Sequence, residues 1–188
     1  MKETTGRSSE DRNTHRNNAI SALRVAHQYQ EKLLLLADLK ASIAMGIVAV
    51  LIVFVLVQVN IPGDISLNAA PAFALFFLFE GAAFLLAMMV IMPRTIRDAR
   101  LSRIEDAPNP LFFGFFTQFS EDEFVSHMES ELSKPDKVEK IFLKDLYQLG
   151  QALKSKYALL RWCYLAAAGG VIIPFGPTIY LMFIRPLG

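Results

Sequence analysis

The sequence predicts an all-α integral membrane protein, with three transmembrane helices and a cytoplasmic helical bundle formed by extensions of spans one and three. Three observations lead there. Apolar runs at 41–59, 69–92 and 162–184 are each near or above the roughly 20 residues that cross a hydrocarbon core at helical rise. Charged residues, 20% of the chain, sit between the runs and largely avoid them. Apolar residues also recur at steps of three and four upstream of the first and third runs, which is helical periodicity. In lipid every backbone polar group needs an internal partner, so the spans are helices.

Taken in order, residues 1–16 are polar and of mixed charge, and are expected to form a disordered arm rather than a secretory signal. A cytoplasmic helix is expected over 17–40, because Ile20, Leu23, Ala26, Gln30, Leu33 and Ala37 line one face. No glycine or proline separates it from the first span, 41–60, so one continuous helix is expected. An external loop follows at 61–68, then the second span at 69–92. The segment 93–156 is cytoplasmic and holds an aromatic loop and helices. The third span covers 157–184, and 185–188 form an external tail.

Orientation rests on basic residues. Arg12, Arg16, Arg24, Lys32 and Lys40 precede the first run, while 61–68 holds no lysine or arginine. Arg94, Arg97, Arg100 and Arg103 follow the second run. The positive-inside rule puts the N-terminus and the Arg94 segment of this multi-pass protein in the cytoplasm, with 61–68 outside.

Between spans two and three, Ala107, Pro108, Asn109 and Pro110 form a breaker cluster. Five phenylalanines follow within 111–119, among them Phe112 and Phe113. They are either a packed plug or an aromatic wall for a flat ligand. Ser120, Glu121, Asp122 and Glu123 form a capping box for a short helix over about 121–132. Ser133 and Pro135 suit the start of another helix, whose stripe of Val138, Phe142, Leu146, Leu149, Leu153, Tyr157 and Leu160 leads into span three.

Catalytic patterns are missing. His15, His27 and His127 lie far apart and read as ordinary polar positions, and no phosphate-binding loop, nucleophile elbow or cysteine pair occurs. An enzyme is not expected, nor a catalytic residue, a cofactor, a metal or a nucleic-acid partner. Cys163 reads as a small buried hydrophobe. Glu80 stands out inside span two, at a depth close to Gly169 and Gly170 of span three, whose small side chains permit close helix approach. It is either a hydrogen-bonded residue holding helices together or a pore-lining or gating group. Pro174, Gly176 and Pro177 are expected to kink the outer half of span three.

The order of these pieces resembles a family. Asn109-Pro-Leu-Phe-Phe-Gly114, Ser120-Glu-Asp-Glu-Phe124, Lys144-Asp-Leu-Tyr-Gln-Leu-Gly150 and Lys156-Tyr-Ala-Leu-Leu-Arg161 look like the transmembrane effectors of Pycsar, the bacterial anti-phage system. Asp38-Leu-Lys40 is similar to the family's Asp-x-Lys at the head of the first span. The shared positions are thus Asp38, Lys40, Asn109, Gly114, Asp145, Tyr157 and Arg161, and Glu80 is not among them. The resemblance implies an effector activated by a cyclic pyrimidine nucleotide, cyclic CMP or cyclic UMP, made by an adjacent uridylate or cytidylate cyclase. It implies inner-membrane impairment and abortive infection, and it allows a homo-oligomer in the bilayer. A one-phosphate ligand needs a few cationic donors and an aromatic or apolar wall. Arg94, Arg97, Arg100 and Arg103 beside Phe112 and Phe113 offer these, although the same arginines also fit a purely topological role. The alternative is an adaptor membrane protein whose bundle docks a protein partner. A transporter is disfavoured by the lack of an inverted repeat.

Overall fold

The computed structural model describes residues 3–60, 70–92 and 101–184. All regular structure among them is helical: α1 (Glu3–Asn60), α2 (Ala70–Ile91), a 3-10 turn (Ile104–Asp106), α3 (Phe113–Phe116), α4 (Glu121–Leu132) and α5 (Pro135–Ile184). Three stretches are long and apolar enough to cross a membrane: Asn17–Val59 within α1, Ala70–Ile91, and Lys137–Pro177 within α5. The expected loop at 61–68 and tail at 185–188 lie outside the described residues.

One boundary differs from expectation, and α5 ends where it was expected to. Helix α1 begins at Glu3, inside the stretch read as a disordered arm. Extending an existing helix needs no new nucleus, so polar residues without a breaker join it at little cost. Helix α5 runs through Pro174 and Pro177 to Ile184. Proline ends helices in water but is tolerated in membrane helices, where neighbouring groups re-satisfy the freed carbonyls. The capping box forms as expected. Ser120 Oγ accepts from the Glu123 backbone N–H, the Glu123 carboxylate accepts from the Ser120 N–H, and α4 starts there.

The chain divides into two compact units. One comprises residues 1–33 and 93–153, the other 34–92 and 154–188, so α1 and α5 each contribute to both. The second unit holds Ala70–Ile91 and the C-terminal parts of the other two apolar stretches, from 34 and from 154 onward. Its seam is built from Ala37, Ala41, Ala44 and Val48 of α1, Phe76, Glu80, Ala83, Ala87 and Val90 of α2, and Leu160, Cys163 and Gly170 of α5. The spacing alternates between three and four, and most members are small. Helices without a hydrophobic drive between them associate through such small-residue packing. Phe175 of α5 packs edge-on against Phe76, with ring centroids 5.7 Å apart. The larger apolar side chains point the other way: Ile47, Val50 and Phe54, Leu78 and Leu85, Leu165 and Ile172 are all exposed. That inside-out distribution fits a lipid surround.

The first unit is conventional by comparison. Ile104, Phe115, Met128 and Ile141 are buried. Phe112 stacks between Phe113 and Phe115, at 4.9 and 5.6 Å, and Phe116 packs on Phe124 at 4.9 Å. The aromatic segment is therefore partly a packed plug, although Phe113 stays exposed. Gly114 is required there, because a Cβ on it would run into the Phe112 ring.

Candidate functional site

Asp145 organises the first unit. Its position on α5 falls among the apolar stripe residues Phe142, Leu146 and Leu149, so the helix turns the carboxylate inward. Its Oδ1 accepts from Asn109 Nδ2 at 2.6 Å, and its Oδ2 lies 2.6 Å from His27 Nε2 on α1. A carboxylate only accepts, so the imidazole donates through Nε2. Its Nδ1 side faces Glu31 at 3.7 Å. Asn109 is buried, and its Oδ1 accepts from the Leu111 N–H at 2.9 Å, an Asx-type turn that shapes the proline cluster. One carboxylate thus ties together α1, α5 and the Pro108–Pro110 loop. Gln30 lies against Gly150 one turn further along both helices.

Sequence reasoning had singled out Asn109 and Asp145 but treated His27 as an ordinary polar position. Nothing local marks His27, since its partner lies 118 residues away.

A second constellation lies in the other unit. Lys156 Nζ pairs with the Asp38 carboxylate, and Lys40 Nζ sits 5.6 Å above the Tyr157 ring. The Asp38–Lys40 pair of α1 and the Lys156–Tyr157 pair of α5 therefore interleave next to the apolar seam. Arg161 is exposed one turn on. Deeper in the seam, Glu80 is fully buried, and neither carboxylate oxygen has a hydrogen-bond partner among the described residues. Of the two readings of Glu80, the hydrogen-bonded one finds no partner for it among the described residues. What faces it is the bare backbone of Gly170. Cys163 is buried as expected and donates weakly to the Ala83 carbonyl at 3.3 Å.

The arginine and phenylalanine constellation fares differently. Arg94, Arg97 and Arg100 lie outside the described residues. Arg103 is exposed, pairs with Asp106 at 3.4 Å, and lines a cleft with Glu105, Asp122, Glu123 and Glu131. Phe112 and Phe113 are not part of that cleft. Its carboxylates are well anchored: hydrogen bonds from Ser120 hold Glu123 below the usual carboxylate range, and a bond from Lys137 does the same for Glu131. No group of three or more metal-ligating side chains occurs among the described residues.

A family model described as the Pycsar effector protein domain, PycTM, matches residues 22–184. The chain belongs to this family. No curated protein and no solved structure matches it significantly. The matched range includes His27, Asn109 and Asp145, the Asp38–Lys156 pair, Glu80 and Gly170. This Pycsar effector is an antiviral-defence protein with three membrane-capable helices.

Proposed function

We propose that this effector is the membrane-damaging arm of a two-component anti-phage defence. A partner cyclase releases cyclic CMP or cyclic UMP on infection. The effector binds it with its first unit, on the cytoplasmic side, and its three spans respond by impairing the inner membrane, so the cell dies before phage mature. Family membership over 22–184 carries the reading. The separate polar unit, suited to a soluble signal, and the apolar unit, suited to lipid, support it. The positive-inside bias supports a cytoplasmic N-terminus.

The test is co-expression with an active or an inactivated pyrimidine cyclase while a potential-sensitive dye is followed. Depolarisation is expected only with the active cyclase. Equal behaviour in both strains would overturn nucleotide gating and favour an adaptor that docks a protein partner. Reporter fusions within 61–68 are expected to read as external, and a cytoplasmic reading there would overturn the orientation.

A further inference from the structure

We infer that the nucleotide binds on the outer face of α5, where Lys140, Lys144, Tyr147 and Gln148 stand beside the loop of Pro108 and Pro110. This rests on the reading above and locates its ligand site. The four residues follow steps of four, three and one, so they share a helix face, opposite the stripe of Val138, Phe142 and Leu149.

Two adjoining clefts run along this face. One, of about 410 Å³, is lined by Lys137, Lys140 and Lys144 with His127, Glu105 and Glu131, over an apolar floor of Pro110 and Ile141. The other, of about 420 Å³, is lined by Pro108, Leu143, Tyr147 and Gln148. Lys144 borders both. Each cleft falls within the range of small-molecule sites.

The charge arrangement singles out an anion. Lys137 is already neutralised by Glu131. Lys140 and Lys144 have no ion-pair or hydrogen-bond partner among the described residues. Like charges four residues apart on a helix repel, and an anion placed between them removes that repulsion. A cyclic phosphate carries a single negative charge, which two ammonium groups match as point donors. The neighbouring cleft that holds Arg103 is a poor rival. Glu105 and Glu131 border both clefts, but this one adds Asp122 and Glu123 and has no lysine, and its Arg103 is engaged by Asp106.

The base has a place beside the phosphate. Tyr147 is 69% exposed, offering an open ring face for stacking within one helical turn of Lys144. The Gln148 amide has both donors and an acceptor, as the hydrogen-bonding edge of a pyrimidine requires. The wall opposite is held rigidly. Asn109 lies between Pro108 and Pro110, and its bond to Asp145 fixes the loop to the same helix. Because Asp145 also holds His27, the anchor of the binding loop is the anchor of α1.

The test uses the full chain purified in detergent, titrated with cyclic CMP and with cyclic UMP by calorimetry. Wild type is expected to bind one of them. The double variant Lys140→Gln/Lys144→Gln is expected to weaken binding at least tenfold and to flatten its salt dependence. Tyr147→Ala is expected to weaken it about tenfold, with Tyr147→Phe close to wild type. Arg103→Gln, in the acidic cleft, is expected to bind normally. All four positions are exposed or half-buried, and unchanged melting temperatures will show that the variants fold. Wild-type affinity in the double-lysine variant would overturn the location while leaving nucleotide gating intact. Binding of neither nucleotide by wild type would overturn both.

Discussion

Glu80 on α2 and Gly170 on α5 interlock. A Cβ placed on Gly170 would lie 2.7 Å from Glu80 Oε1 and 3.0 Å from the Phe79 Cβ. The glycine is thus the socket that lets a long polar side chain fit between two membrane helices.

Gly170→Ala is therefore expected to overpack the seam. Such insertions typically cost about 1–3 kcal/mol. Gly169→Ala should be milder, because its nearest neighbour is the Phe79 ring at 3.4 Å. Thermal unfolding in detergent checks the order, and equal melting points for the two variants would refute the interlock.

Glu80→Met probes the same site from the other side. The carboxylate oxygens are buried and have no partner among the described residues, and relieving a buried unsatisfied polar group is worth about 1–3 kcal/mol. A methionine of similar length is expected to raise the melting temperature. If instead the protein melts earlier, the carboxyl group has a stabilising partner. A buried ionisable side chain inside a membrane span is a functional-site candidate, so the stabilised variant is expected to cause less depolarisation.

The Asp38–Lys156 pair invites a charge swap. Asp38→Asn is expected to destabilise the spanning unit by about 1 kcal/mol, a modest figure because Asp38 is 36% exposed. Asp38→Lys alone should be worse, and Asp38→Lys/Lys156→Asp should recover part of the loss in a double-mutant cycle. No coupling in that cycle would show that the pair is incidental.

Asn109→Asp is expected to be the most damaging change in the first unit. It replaces the amide that donates to Asp145 with a second carboxylate at the same distance, in a buried position. Repulsion plus a lost donor is expected to cost about 3 kcal/mol or more. Asn109→Asp/Asp145→Asn, which restores one donor and one acceptor, should recover much of it. Hydrogen exchange at Leu111, whose amide Asn109 holds, reports the loss locally.

Acid should loosen α4 in a defined window. Glu123 and Glu131 both sit below the ordinary value of 4.5, through bonds from Ser120 and Lys137 respectively. A group depressed in the folded state contributes stability that is complete above its unfolded value and is lost as pH falls through its folded value. Exchange protection of α4 is therefore expected to hold above about pH 4.5 and to decline below it. Lys137→Met should remove the part that Glu131 contributes. A decline that begins near neutral pH would exclude these two carboxylates as the cause.

The residues divide sharply in what they reveal along the chain. Hydropathy and charge spacing delimit the three membrane helices, and the Ser120–Glu123 box marks the start of α4, because each depends on residues within a turn or a span of one another. The pairing of Glu80 with small glycines at matching depth was also legible, since helical rise converts position into depth. The extension of α1 back to Glu3 was not, because polar composition says little once a helix is already nucleated downstream.

What the sequence by itself determined is the presence of three membrane-capable helices, the cap of α4, the membrane-facing character of the apolar runs, and a motif order that resembles its family. Only the tertiary structure decided that His27 and Asn109 share Asp145, that Asp38 and Lys40 meet Lys156 and Tyr157, and that Glu80 faces Gly170. The first group follows from local free energies that add along the chain. The second depends on which faces of distant helices meet, and that is set by the packing within each unit.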